Sequence, residues 1–147
     1  MSDVFKNPPP AFSNDYVFDI IKKHFDISPS LTPLVSDRDQ NFKITEGEKS
    51  HIFKIANSAE SRSVLEMQNS ALSYISKKDD SIEIPQPVKT IDGHDILSIE
   101  SKNTKYHARL LTYVDGVFLK DVKPTNGTTF SVGKFLGYLD KGLVGFD

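Results

Sequence analysis

A single lysine stands in an otherwise apolar run, His51-Ile-Phe-Lys-Ile-Ala56, and a long helical segment follows at once. Burying an ammonium beside isoleucine and phenylalanine is costly unless an anion or a strong acceptor meets it. A strand lysine aimed into a cleft and steadied by the following helix is the arrangement that neutralises nucleotide phosphates. The bland alternative is Lys54 on the solvent face of its strand, with no ligand at all.

The helix after the lysine supplies the candidate acceptors. Steps of about 100° per residue put Val64, Gln68, Ala71, Leu72 and Ile75 in one arc, with Glu66 nearly opposite and Glu60 near the edge. Gln68 is therefore the expected inward partner of Lys54, with Glu60 or Glu66 taking that place if the register differs. A glutamine oxygen is a neutral acceptor and holds a cation less firmly than a carboxylate does.

The elements that must position these residues can be read along the chain. Residues 1–13, with Asn7-Pro-Pro-Pro10, read as a flexible leader that cannot be helix. Ser13 or Asn14 then caps a helix to Phe25, in which Val17, Ile20, Ile21, His24 and Phe25 form an apolar stripe. Residues 31–56 read as three antiparallel strands, with Pro33 placing the first at an edge and a turn centred on Glu46-Gly-Glu48. Ser58 is the expected N-cap of the helix running to about Ser76. Beyond Ile84-Pro-Gln-Pro87, residues 88–91 and 96–99 read as a strand and its hairpin partner, and 106–114 as a further strand. A last helix over 128–146 repeats Phe130, Val132, Phe135, Leu136, Leu139 and Leu143 at helical spacing, weakened by glycines.

Composition narrows the function classes. With 147 residues the chain can form one domain with a real core. A net charge of −2, with 18 basic residues scattered among 20 acidic ones, argues against nucleic acid. The chain has no cysteine, which excludes disulfides and thiolate metal sites. His24, His51, His94 and His107 have no ligand-like spacing, so no metal site is expected. No apolar run approaches membrane-spanning length and the start lacks a signal-peptide core, so no membrane partner and a cytoplasmic location are expected.

Five segments together carry a resemblance: Ser36-Asp-Arg-Asp-Gln-Asn-Phe42, Ile52-Phe-Lys-Ile-Ala-Asn57, Glu66-Met-Gln-Asn-Ser-Ala-Leu72, Ile84-Pro-Gln-Pro87 and Arg109-Leu-Leu-Thr-Tyr-Val-Asp-Gly116. In this order they resemble the aminoglycoside phosphotransferase family, and within it the branch of hydroxylysine kinases and of phosphotransferase domains fused to class III aminotransferases. The resemblance implies an α+β fold: the N-terminal lobe of a protein-kinase-like enzyme over 14–114, with 115–147 as the hinge exit and first helix of a second lobe. It gives that lobe an antiparallel five- to six-stranded sheet packed by one long helix, with an extra helix at each end.

The same resemblance implies roles. Lys54 matches the lysine that fixes the α and β phosphates, and residues 36–40 the phosphate-covering loop, where the Ser36 hydroxyl and Arg38 guanidinium could add contacts although no glycine is present. Thr112 and Val114 match the hinge that meets the adenine edge through main chain, with Leu111 guarding the space behind it. The complete enzyme would use magnesium with ATP or GTP and phosphorylate a small-molecule hydroxyl on an amino alcohol, amino acid or aminoglycoside-like acceptor. The family's catalytic aspartate in a His-x-Asp loop and its magnesium aspartate have no match. Asp115, Asp121, Asp140 and Asp147 lack the spacing and the preceding histidine. The expectation is a piece of a larger kinase that does not transfer phosphate alone. A competing reading is a non-catalytic interaction module, and under either the apolar terminal helix could pair with a second copy. A third is an unrelated α+β domain, for which Lys54 should lie in solvent away from the helix.

Overall fold

The computed structural model describes residues 7–147. Helix α1 (Asn14–Phe25) precedes strands β1 (Ser30–Leu34), β2 (Gln40–Glu46) and β3 (Lys49–Ile55), after which α2 (Arg62–Lys78) leads to β4 (Pro87–Val88), β5 (Leu97–Ser101) and β6 (Thr104–Thr112). A single 3-10 turn at Leu119–Asp121 and helix α3 (Asn126–Gly142) complete the chain.

The sheet is antiparallel with order β1-β2-β3-β6-β4, and β5 also pairs with β6. Pro33 lies in the edge strand, as its missing N–H requires. The β2–β3 connection is a two-residue loop beginning at Gly47, whose φ of +59° is a left-handed conformation that an L side chain resists.

Strand alternation divides the chemistry. On one face Phe42, Phe53 and Leu110 lie in register across β2, β3 and β6, and with Ile44, Ile55 and Ala108 they bury against Val17, Ile20 and Ile21 of α1. On the other face Asn41, Lys54 and Arg109 occupy the matching row. This second face receives α2. The architecture is therefore the α+β, kinase-like lobe expected, with six strands.

Several boundaries differ from the sequence reading. Helix α2 starts at Arg62 with Ser61, not Ser58, as its N-cap; the Ser61 hydroxyl accepts from the Val64 N–H. Residues 57–60 are instead turned, with the Asn57 amide oxygen accepting from the Ala59 N–H. The expected hairpin of residues 88–91 with 96–99 does not form. β4 is two residues long and pairs with Leu110 and Leu111, whereas β5 pairs with the other end of β6. Thr90 and His94 close a local turn between them, which uses the backbone groups that a hairpin would have needed. Helix α3 runs over Asn126–Gly142, capped by Thr125, and so starts and stops earlier than expected. Residues 1–6 of the expected leader lie outside the described residues, and Asn7 to Phe12 is held: the buried Asn57 amide donates to the Asn7 and Pro8 carbonyls, and Phe12 exchanges hydrogen bonds with Gln40.

Candidate functional site

From the row Asn41, Lys54, Arg109, the last two line a cleft of about 350 Å³ between the sheet, the 36–39 loop and α2. Its lining includes Ser36, Arg38, Lys54, Glu60 and Gln68. Lys54 thus points into a cleft on the α2 side of the sheet, and its side chain is 24% exposed. Its Nζ donates to Asn41 Oδ1 at 3.0 Å and lies 3.6 Å from Asp39 Oδ2.

Lys54 and Gln68 do not bond to each other. Arg109, directly across the ladder from Lys54, has the longer reach and a planar fork, and it takes the helix acceptors. Its Nη1 donates to Asn69 Oδ1 at 2.7 Å and to the Leu65 carbonyl at 3.4 Å, while Nη2 donates to Gln68 Oε1. The two glutamates are engaged elsewhere: Glu60 with Arg38 at 2.9 Å, and Glu66 with Arg62 along the outer side of α2 at 2.7 Å. The buried face of α2 is Leu65, Asn69 and Ile75, about one residue round from the arc drawn on the sequence.

Electrostatics follow from this arrangement. Burial pushes the Lys54 ammonium below its ordinary pKa; the facing Asp39 carboxylate opposes that shift and the Arg109 charge adds to it. Burial also lowers the His107 imidazole on the same wall, helped by the Arg62 and Lys105 charges. Two cations thus lie side by side on adjacent strands, with the Asp39 carboxylate facing the lysine from the loop.

The 36–39 loop is shaped without glycine. The Ser36 hydroxyl accepts from the Asp39 N–H, and the Asn57 N–H donates to Asp39 Oδ1, leaving Oδ2 for Lys54. The Asn57 side chain also donates to the Arg38 carbonyl. Ser36, Arg38, Lys54 and Gln68, all singled out in the sequence, therefore meet in one cleft. Leu111, Thr112 and Val114 are not on its lining. Leu111, which is buried, and Thr112, which exchanges bonds with Gln86, lie further along β6, and Val114 lies two residues past its end. Beyond Thr112, the Tyr113 ring carries Lys43 Nζ 4.1 Å from its centroid. Sequence reasoning missed Arg109, Asn69, Asp39, Asn41 and Asn57. Arg109 had a usable signal, a lone cation before Leu110 and Leu111 in a strand, of the same kind that drew attention to Lys54.

A six-stranded antiparallel sheet with a strand lysine facing the following helix defines the N-terminal lobe of a protein-kinase-like fold. Known structures agree: an amicoumacin kinase in complex with AMP-PNP, Ca²⁺ and Ami superposes with a TM-score of 0.75 at 19% identity, covering 92% of this chain and 41% of that one. A microcompartment-associated aminopropanol kinase gives 0.71 at 17%, covering 87% and 40%. A spectinomycin phosphotransferase in complex with ADP and spectinomycin gives 0.61 at 13%, covering 88% and 38%. No family model matches the chain. In sequence it is 32% identical to a hydroxylysine kinase of Xenopus laevis over 94% of its own length, and 25% identical to one of Mus musculus over 93%. The chain is thus similar in sequence to the hydroxylysine kinases and in fold to small-molecule kinases such as the amicoumacin kinase. It spans about 40% of the length of those curated relatives.

Proposed function

We propose that this chain is the nucleotide-binding lobe of a small-molecule kinase that moves a phosphoryl group from ATP or GTP to a hydroxyl of an amino alcohol, amino acid or aminoglycoside-like acceptor. The observation that carries the reading is the Lys54 ammonium, turned into the cleft and held by a loop carboxylate it can release. In this reading Lys54 neutralises the α and β phosphates, and Ser36 and Arg38 border them. Leu111, Thr112 and Val114 shape the base end through main chain. The contribution is positioning and charge stabilisation, since the transferred group meets its acceptor elsewhere. The relatives' names, hydroxylysine kinase and aminopropanol kinase, support an acceptor carrying both an amine and a hydroxyl.

In this reading the complete enzyme uses magnesium with the nucleotide. Among the described residues no group of three or more His, Cys, Asp and Glu side chains is placed to share an ion. Among the same residues no helix is long and apolar enough to cross a membrane.

The reading is tested in a protein carrying this chain at the full length of its relatives, by following phosphate transfer from ATP and from GTP to a panel of amino alcohols and hydroxylated amino acids. Absence of nucleotide-dependent phosphorylation across the panel, with a folded protein, overturns it. Asp39 offers a finer measurement. Asp39→Asn removes the charge that competes with phosphate while its amide oxygen can still accept from the Asn57 N–H. Nucleotide affinity by calorimetry is expected to tighten by about fivefold, the scale of a part-exposed ion pair; unchanged or weaker binding would show that Asp39 does not stand in the ligand's place.

Self-association, which would follow under the kinase reading and under that of a non-catalytic interaction module alike, has its own support. Helix α3 exposes Phe130 (72%), Phe135 and Leu136 (59%), and its C-cap Leu143 is exposed as well; these apolar side chains could be covered by another copy. Sedimentation of the 147-residue chain is expected to show a concentration-dependent dimer that Phe130→Ser with Leu136→Ser abolishes. A monomer at all concentrations would discard this reading.

A further inference from the structure

Arg109 is an arginine that the proposed reaction does not use, yet its two terminal nitrogens make three hydrogen bonds to one helix, while its Nε is buried without a partner. It is 7% exposed, sits on β6 in register with Lys54, and crosses to α2 to engage Leu65, Gln68 and Asn69 at once. Asn69 is itself buried and has turned its oxygen to Arg109, and its Nδ2 has no partner. A buried amide that leaves its own donor unpaired is oriented by the bond it does make. Lys54, by contrast, makes no bond to α2 and is held wholly by β2 and the 36–39 loop.

We infer that Arg109 is the positioning residue that fixes helix α2 against the sheet, so that holding the helix and meeting the ligand's charge fall to two different residues of this lobe. The description of the ligand as a phosphate rests on the proposed function; the clamp itself does not. Three bonds from one rigid fork to one turn of α2 set the helix's distance and rotation, and a guanidinium loses less freedom per bond than an ammonium would. Neutral acceptors suffice because Arg109 is a permanent cation, whereas an acidic partner would also attract Lys54. Lys54 is thereby left free to trade Asp39 for an incoming anion without unseating the helix.

Amide hydrogen exchange on the 147-residue chain without nucleotide tests the clamp apart from the function. Arg109→Gln is expected to speed exchange across the 65–72 turn of α2 by about tenfold relative to Phe42 and Phe53, and Lys54→Met to leave it within about twofold. If Lys54→Met loosens α2 as much as Arg109→Gln does, or Arg109→Gln leaves α2 protected, the inference fails. Should Arg109→Gln not fold, Gln68→Ala removes one of the three bonds at a half-buried position. It is expected to give a smaller rise in the same turn, and no rise overturns the inference. A titration of the Lys54 amine separates positioning from bulk stability. The charged and titratable groups that line the cleft with it are Asp37, Asp39, Arg109, Glu60, Arg38 and His107. Removing the Arg109 charge should raise the Lys54 pKa in the folded protein, and an unmoved titration would mean that the two cations are not held side by side. Nucleotide-free loss of the clamp with nucleotide binding retained, or the reverse, shows which of the two claims has failed.

Discussion

Lys54→Met in the full-length protein is expected to cut phosphoryl transfer by about a hundredfold or more and to leave the fold intact, the scale found when one preorganised donor is taken from a developing charge. Methionine keeps the length and apolar stem of lysine and deletes only the ammonium. Burial is the main reason that ammonium sits below its ordinary pKa of 10.5, and Asp39 only partly offsets it. The charged lysine is thus a cost to the fold, and the substitution should leave the unfolding midpoint at neutral pH equal to or above that of the parent. The pH dependence has a definite sign. A lysine whose folded pKa is depressed destabilises fully wherever both folded and unfolded forms are protonated, which includes neutral pH. That penalty is relieved as pH rises through the folded pKa toward 10.5. The stability advantage of Lys54→Met should therefore be largest near neutrality and shrink on the alkaline side, as read from denaturant melts across pH. Turnover within a few-fold of the parent would remove Lys54 from the chemistry.

What could be read from the chain beforehand divides along physical lines. The strand meander, the edge proline, the α1 stripe and the inward lysine were legible because strand alternation and helical period are local properties of consecutive residues. The site's partners were not, because they depend on register between distant strands. Nothing near Lys54 in sequence announces that Asn41 and Arg109 lie beside it; that follows from pairing of β3 with β2 and β6. Helix α2 shows how a small local error propagates. The four-residue turn after Asn57 delays the helix start to Arg62 and the inward face settles on Leu65 and Asn69, leaving Gln68 half-buried beside them. Two cations in one row then compete for a few acceptors, and the one with the longer, forked side chain takes the helix. Burial and hydrogen-bond capacity decide that outcome, and neither is a property of spacing alone.

The opposite face of the same strand carries the largest stability effect. Phe53 is fully buried between Phe42 and Leu110 across the ladder, and its ring meets Phe25 of α1 edge-on at 6.3 Å between centroids. Phe53→Ala is expected to destabilise the chain by about 3–5 kcal/mol, measured by urea unfolding, because the ring is lost and the cavity between sheet and helix cannot close. Phe53→Leu should lose less than half as much, since it refills most of that volume. The consequence for the site follows from the pleat. Phe53 and Lys54 are consecutive, so the packing of one sets the direction of the other, and a slip of one residue in β3 would drive the ammonium into the α1 core and the ring into the cleft. The cost of that exchange is what keeps the lysine facing Asp39 and Asn41. In Phe53→Leu the amine should therefore still titrate below its ordinary value, with α1 exchanging faster than in the parent; a Lys54 that titrates normally in a folded Phe53→Leu protein would mean that the α1 layer does not aim it.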